Sequence, residues 1–242
     1  MVKFFISVLN ILRITFILIL TAFCGILGIV LMLLTWHSAW ILYFLGYILW
    51  GPIVCAVCGI KLKITGSENI KKGIGNIYIA NHSSLLDIAV LVNAIPLPLF
   101  FVAKNELKKV PVLGLYMRVL GHIFVDRKNK DKAMQSMRLA AAKINSGKNV
   151  ITFPEGTRSK DGKLQTFKKG TFVIAKEGNI DIIPIGISGT FEVLPSGRSL
   201  IKPAKVHLHI GTKIDGQLFT SMSVDEIALM AQERVKLLSV SQ

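Results

Sequence analysis

A histidine and a carboxylate five residues apart are the first candidates for chemistry. His82 and Asp87 lie in the segment Asn81–Asp87, directly after the apolar segment Asn76–Ala80, and α/β folds bind ligands where strands end. On one uniform helix the two side chains would point about 140° apart. Contact therefore requires His82 in a loop and Asp87 in the first helical turn. A carboxylate bonded to one imidazole nitrogen leaves the other free to take a proton from a hydroxyl group. The alternative is a capping turn in which both residues are incidental.

A second candidate segment, Phe153–Ser159, also follows an apolar run. The planar guanidinium of Arg158 suits phosphate oxygens, and Gly156 permits close approach of the backbone to a ligand. Glu155 could accept a hydrogen bond from a hydroxyl group or hold the arginine. The alternative interpretation is a turn with a surface salt bridge.

A third candidate is the Asp126-Arg127 pair, which ends the segment Gly121–Arg127. An arginine here could add to a phosphate site. A strand-end salt bridge is the alternative, and taken alone this pair favours it.

Strands and helices that alternate along the chain must position these residues. The predicted strands are Lys61–Thr65, Asn76–Ala80, Leu99–Ala103, His122–Asp126, Asn149–Phe153, Ile182–Ile187 and Val206–Ile210. The predicted helices are Leu85–Asn93, Leu113–Leu120, Lys132–Ile144, Thr171–Glu177 and Val224–Leu238. Asp131 is the predicted N-cap of the third helix, and Ser223 with Glu226 forms a capping box at the last. This alternation predicts an α/β domain whose mostly parallel or mixed sheet is flanked by helices.

The N-terminal region has a different composition. No Asp, Glu, Lys or Arg occurs from Ile14 to Ile60, whereas one membrane-spanning helix needs about 20 apolar residues. A break at residues 35–38 predicts two helices, at about residues 4–34 and 39–58. We therefore expect a two-helix membrane anchor over residues 1–60 and a single catalytic domain over residues 61–242. A hairpin that crosses twice and a helix pair in one leaflet both remain possible, because basic residues flank both ends.

The chain of 242 residues has a formal net charge of +15 and is 52% hydrophobic. That hydrophobic content excludes a disordered basic tail, and three cysteines cannot build a disulfide framework. Residues 61–150 hold 15 basic and 5 acidic side chains. A basic centre beside a membrane anchor favours anionic lipids or phosphorylated substrates over nucleic acid.

Four blocks, taken together and in order, resemble the glycerolipid acyltransferase family, in particular the bacterial 1-acylglycerol-3-phosphate acyltransferases. They are N-H-x4-D at 81–87, G-x-I-F-x-D-R at 121–127, F-P-E-G-T-R-S at 153–159 and an apolar strand with proline at 182–187. Two linking segments, at 104–114 and 167–170, also match, so that the resemblance covers about residues 60–215. His122 and Gly186 are small departures that remove no catalytic group.

The resemblance implies a site and a reaction. His82 would be the general base on the free hydroxyl of lysophosphatidic acid, and Asp87 would orient it. The substrate-binding residues would be Glu155, Gly156, Thr157, Arg158 and Arg127, supplemented by Lys104, Lys168 and Lys169. The hydroxyl would attack an acyl thioester, either acyl-CoA or acyl-acyl carrier protein, with no cofactor and no metal. Backbone N–H groups near Lys104 or in the helix after His82 are the candidate donors to the oxyanion.

The resemblance also implies a location and leaves alternatives. The product would be phosphatidic acid for phospholipid biosynthesis, made at the bacterial inner membrane with the catalytic domain on the cytoplasmic side. The expected partners are the phospholipid surface, lysophosphatidic acid and the acyl donor, with no nucleic acid. The acceptor could instead be glycerol-3-phosphate or another lysophospholipid. A non-enzymatic basic protein of the membrane surface is the alternative of a different class, and the His82/Asp87 pair argues against it.

Overall fold

A mixed seven-stranded sheet forms the centre of the computed structural model, which describes residues 2–35, 39–71, 73–126 and 128–240. Its strands are β1 (Ile60–Thr65), β2 (Ile77–Ala80), β3 (Leu99–Lys104), β4 (Ile123–Val125), β5 (Asn149–Thr152), β6 (Ile182–Ser188) and β7 (Ala204–Ile210). They are ordered β1-β7-β6-β2-β5-β3-β4. The five strands from β6 to β4 are mutually parallel, whereas β7 is antiparallel to β6 and parallel to β1.

Helices cover both faces of the sheet. They are α1 (Val2–Leu34), α2 (Ala39–Leu45), α3 (Gly51–Val57), α4 (Leu86–Ala94), α5 (Leu113–Val119), α6 (Lys130–Asn145), α7 (Gly170–Glu177), α8 (Thr190–Val193) and α9 (Val224–Ser239). Strand β2 has both of its faces buried, with Ile77 and Ile79 in one hydrophobic cluster and Tyr78 and Ala80 in the other. This two-sided burial explains why the parallel strands have continuous apolar sequences.

The predicted α/β architecture with a mixed sheet is confirmed. All seven predicted strands and the five helices predicted after residue 60 are present, with ends that differ by at most two residues. Strand β7 begins at Ala204, two residues before the predicted start, because Ala204 continues the parallel register with Ile60.

The start of α6 differs from the prediction. The N-cap is Asn129, whose side-chain oxygen accepts a hydrogen bond from Lys132 N at 3.0 Å, and Asp131 lies inside the first turn. The backbone of Asn129 is extended, as an N-cap requires. The capping box of Ser223 and Glu226 at α9 is confirmed, since both reciprocal hydrogen bonds are present.

The expected two-helix anchor is corrected to one long apolar helix. Within the described residues, Ser7–Leu34 of α1 is the only helix long and apolar enough to cross a membrane. The second helical segment consists of α2, a π-helical turn at Gly46–Trp50 and α3. It is shorter, and α3 packs against α4 of the α/β region. The predicted break falls partly on residues 36–38, which lie outside the described residues.

Helix α1 is attached to the α/β region along one face. The Asn10 side chain donates a hydrogen bond to Ser199 O at 2.7 Å and accepts one from Ile201 N at 2.9 Å. Further along the helix, Leu20 and Cys24 are buried in the same cluster as residues of the sheet. The division of the chain at residue 60 stays a prediction.

The packing of α9 on β6 depends on Gly186. A Cβ atom at this position would lie 2.1 Å from the backbone carbonyl carbon of Leu238, so a side chain would force helix and strand apart. We expect Gly186→Ala to cost about 1–3 kcal/mol of folding stability, or about 2–4 °C in unfolding temperature per kcal/mol. Thermal unfolding of the detergent-solubilised protein measures this.

Gly170→Ala is the matched control, because a Cβ there would meet only Met137 Cγ at 3.7 Å. Equal unfolding temperatures for the two variants would contradict this account of the α9 contact.

Candidate active site

The candidate residues converge because parallel strands end at the same edge of the sheet. His82 follows β2, the segment Phe153–Ser159 follows β5, and Lys104 ends β3. Thr190 follows β6, which is parallel to β2. Side chains that are far apart in sequence therefore meet at the carboxyl edge, where α/β folds bind ligands.

His82 and Asp87 are in direct contact. His82 Nδ1 lies 2.8 Å from Asp87 Oδ2, which is a normal hydrogen-bond length. His82 lies in the loop before α4, and Asp87 is the second residue of that helix. The two side chains therefore meet although a uniform helix would separate them. The Asp87 side chain is fully buried, whereas 15% of the His82 side chain is exposed.

The Asp87 carboxylate is saturated with donors. Besides His82, its Oδ2 accepts hydrogen bonds from Ser83 N at 2.8 Å and Ser84 N at 2.9 Å. Its Oδ1 accepts one from the Thr190 hydroxyl at 2.5 Å. Thr190 Oγ1 also lies 3.2 Å from the Ser83 hydroxyl. Because Thr190 donates to Asp87, Ser83 must be the donor in that second bond.

This arrangement determines the tautomer of His82. A carboxylate only accepts hydrogen bonds, so that the proton shared with Asp87 is carried by Nδ1 of His82. Nε2 then has a free lone pair and can accept a proton. An imidazole whose Nδ1–H is held by a carboxylate is the arrangement that general-base catalysis uses.

The segment after β5 holds His82 from three directions. Glu155 Oε1 accepts a hydrogen bond from His82 N at 2.6 Å, and Ser159 N donates one to His82 O at 2.8 Å. The Phe153 ring stacks on the imidazole, with ring centroids 4.0 Å apart and an interplanar angle of 14°. These contacts determine the position of the imidazole, because they hold both its backbone and its ring.

Glu155 is buried beneath this loop. Only 3% of the residue is exposed, and its Oε2 accepts a second hydrogen bond, from Gln165 N at 3.0 Å. Burial raises the pKa of Glu155 to about 7, against the lowering effect of its two backbone hydrogen bonds, and the nearby Asp87 adds to the increase. Because His82 N and Gln165 N are the two donors, both carboxylate oxygens of Glu155 accept hydrogen bonds from the protein's own backbone.

Arg158 is available to a ligand. It is half-buried on the same loop, and within the described part of the chain its guanidinium forms no hydrogen bond or ion pair. Gly156, with φ of 74°, lies against the side chain of Lys168, since a Cβ there would be 2.9 Å from Lys168 Nζ. Arg158 and Lys168 thus bring two positive charges to the segment that holds His82.

The other predicted lysines are engaged elsewhere. Lys169 Nζ lies 2.6 Å from a carboxylate oxygen of Asp225 on α9, and Lys104 Nζ lies 3.2 Å from Glu106. Thr157 is exposed. Arg127, a predicted ligand of the phosphate, lies outside the described residues.

Two of the candidate oxyanion donors are already used. The N–H groups of Ser83 and Ser84 both donate to Asp87, so the loop immediately after His82 cannot supply them to a substrate.

Among the described residues, no group of three or more His, Cys, Asp or Glu side chains could hold a metal ion.

Several supporting contacts could not be predicted from the sequence, although Asn81 and Phe153 themselves lie within the recognised blocks. Thr190 lies 103 residues from Asp87. The Asn81 amide pairs with both the N–H and the C=O of Ile187, at 2.8 Å each. The Phe153 ring lay within a recognised motif, but no spacing rule predicts that it stacks on His82.

Comparisons with known proteins identify the family of this chain. The Acyltransferase family model matches residues 61–188. The 1-acyl-sn-glycerol-3-phosphate acyltransferase of Limnanthes douglasii is 35% identical over 185 residues, covering 76% of this chain and 65% of that protein. The enzyme of the same name from Borreliella burgdorferi is 30% identical over 159 residues, covering 66% and 64%. The chain thus spans just under two thirds of the length of these relatives.

A solved structure is similar over the whole chain. The crystal structure of the 1-acyl-sn-glycerophosphate (LPA) acyltransferase PlsC from Thermotoga maritima superposes with a TM-score of 0.87 at 29% identity. The match covers 100% of this chain and 99% of that one. Since the matching family model spans more than half of the sequence and includes both catalytic candidates, this protein belongs to the acyltransferase family.

Proposed function

We propose that the protein transfers a fatty acyl group from an acyl thioester, carried by coenzyme A or acyl carrier protein, to the sn-2 hydroxyl of 1-acyl-sn-glycerol-3-phosphate. The product is phosphatidic acid. The 2.8 Å contact between His82 Nδ1 and Asp87 Oδ2 carries this proposal. It leaves Nε2 of a partly buried imidazole free to act as a base. The names of the relatives support the acceptor.

The reaction needs no protein nucleophile, because a thioester is already activated. His82 Nε2 takes the proton of the acceptor hydroxyl while the oxygen attacks the thioester carbonyl. Asp87 stabilises the imidazolium that forms. When the tetrahedral intermediate collapses, the C–S bond breaks and the thiolate takes the proton back from His82. The groups that stabilise the oxyanion must lie elsewhere than Ser83 N and Ser84 N.

The acceptor phosphate is assigned to the cations beside His82. Arg158 is half-buried and has no partner among the described residues, and its planar guanidinium binds two phosphate oxygens at once. Lys168 adds charge across Gly156. Arg127, Thr157 and Lys104 remain proposed contacts, whereas the Asp225 ion pair makes Lys169 a weaker one.

Glu155 is assigned a positioning role rather than direct contact with the substrate. Its 3% exposure leaves almost no surface for a ligand, and its Oε1 holds the backbone of His82. The carboxylate therefore acts on the reaction through the position of the imidazole.

The proposed location is the bacterial inner membrane, with the catalytic region on the cytoplasmic side. Two features support it: the apolar Ser7–Leu34 helix, and basic residues on both flanks of the uncharged run.

We expect His82→Ala to lower the rate of acyl transfer about 10²–10⁴-fold, the usual contribution of a general base. The assay measures thioester-dependent acylation of lysophosphatidic acid by the purified protein. His209→Ala, on β7, is the matched control and should keep the wild-type rate. Wild-type activity in His82→Ala would overturn the mechanism.

Arg158→Ala should raise KM for lysophosphatidic acid about 10–100-fold, since a hydrogen bond to a charged group contributes about 1.5–3 kcal/mol. A monoacylglycerol, which lacks the phosphate, should be acylated equally well by the variant and the wild type. Arg138→Ala, at an exposed position of α6, is the control. An equal loss for both acceptors would contradict the phosphate assignment.

Glu155→Gln should lower kcat and leave KM nearly unchanged. The glutamine NH₂ group must face one of the two backbone N–H donors, which disturbs the position of His82 and costs about 1–3 kcal/mol. A rise in KM with unchanged kcat would instead show that Glu155 binds substrate.

The difference in stability between the wild type and this variant also depends on pH. The folded-state pKa of Glu155 is about 7, against 4.5 for an unperturbed glutamate, so its contribution to stability is fully present below pH 4.5 and is lost as the pH rises through 7. The advantage of the wild type over Glu155→Gln should shrink by up to about 3 kcal/mol over that range. Thermal unfolding at pH 4.5 and pH 8 measures it, and a constant difference would contradict the buried-acid assignment.

A further inference from the structure

A second cationic site lies at the opposite edge of the sheet from His82. A cleft of about 470 Å³ opens at the amino ends of β3 and β5, and its lining includes Pro98 and Asn149. We call it the lysine cleft and define it by Tyr43, Phe100, Leu120, Lys143 and Lys148. The proposed reaction uses none of these residues.

Two ammonium groups converge on one ring in this cleft. Lys143 Nζ lies 4.8 Å from the centroid of the Phe100 ring, and Lys148 Nζ lies 5.4 Å from it. Both distances are within the range of cation–π contacts. Two positive charges therefore lie close to the same aromatic ring.

No carboxylate neutralises these charges within the described part of the chain, where neither lysine forms an ion pair. Burial lowers the pKa of Lys143, and the neighbouring Lys148 lowers it further. The ammonium of Lys143 also lies against Gly121, where a Cβ would be only 3.0 Å from Nζ. An anion placed between the two lysines would relieve their repulsion.

Apart from Asn149, the remaining side chains of the cleft wall are largely apolar. Tyr43 packs edge-on against Phe100 at 5.6 Å, and its hydroxyl is occupied in a hydrogen bond to Leu120 O at 3.0 Å. Tyr43 belongs to α2 in the N-terminal apolar region. Next to it, Phe44 is 43% exposed and Ile48 is 50% exposed. The helical segment that contributes Tyr43 to the cleft therefore also carries exposed apolar side chains.

We propose that the lysine cleft binds the phosphate of an anionic phospholipid, whose acyl chains lie along the apolar surface of α2 and the π-helical turn. This ligand would be a component of the surrounding bilayer, bound apart from the acceptor site. It would hold the amino edge of the sheet to anionic membrane while the carboxyl edge carries the reaction. The site does not depend on the identity of the proposed acceptor.

The test measures the unfolding temperature of the purified full chain in a neutral detergent. The added ligands are dihexanoylphosphatidylglycerol, dihexanoylphosphatidylcholine and inorganic phosphate. We expect a concentration-dependent rise with the anionic lipid only. The Lys143→Gln/Lys148→Gln double variant should weaken the apparent affinity about tenfold for each lysine removed. Lys148→Gln alone, at an exposed position, should weaken it about tenfold if the double variant does not fold.

Two further variants separate this site from the rest of the molecule. Lys61→Gln/Lys205→Gln removes a lysine pair that is adjacent across β1 and β7 and should retain the full response. Arg158→Ala should also retain it. A response abolished by Arg158→Ala would place the lipid in the acceptor site and overturn the proposal, as would an equal response to phosphatidylcholine. An equal response to inorganic phosphate would overturn the assignment to a lipid.

Discussion

The buried carboxylate of Asp87 needs hydrogen-bond donors on both oxygens, because an unpaired charge without exposure to water is strongly unfavourable. Four donors meet this need: the His82 imidazole, two backbone N–H groups and the Thr190 hydroxyl. They come from the loop after β2 and from the residue that starts α8 after β6. The two loops must therefore close on each other for the site to form. The same hydrogen bonds occupy Nδ1 of His82 and leave its Nε2 free. The contacts that stabilise the loop after β2 therefore also make the proposed base available.

A second loop joins this arrangement to the proposed acceptor site. The segment after β5 holds His82 through Glu155, Ser159 and the Phe153 ring, and it also carries Arg158. The distance between the base and the phosphate-binding group is thus set by a single short loop. A lysophosphatidic acid molecule has a short, defined separation between its free hydroxyl and its phosphate. A rigid loop of this kind would favour acceptors with that separation.

Much of the fold follows from patterns that are local in the sequence. Strands such as β2 and β6 are buried on both faces, and their apolar runs, bounded by polar residues, predict them directly. The His82–Asp87 pair was also predictable, because only a loop-to-helix transition lets a spacing of five produce contact. The role of Thr190 was not, since that contact depends on how β6 lies beside β2. From the sequence alone, Glu155 could be interpreted as a substrate ligand, because its burial depends on tertiary packing that no local pattern predicts. The second N-terminal segment has the composition of an anchor, and its packing against α4 cannot be inferred from composition.

The central claim is that His82 and Asp87 act as one unit, with the carboxylate working only through the imidazole. A double-mutant cycle of His82→Ala and Asp87→Ala, measured as kcat for acylation of lysophosphatidic acid, tests this claim most directly. The claim predicts that Asp87→Ala causes a large loss in the wild-type background and almost none once His82 is replaced, provided that circular dichroism shows all variants to be folded. Losses that multiply in the double variant would show that the two residues act independently and would contradict the claim.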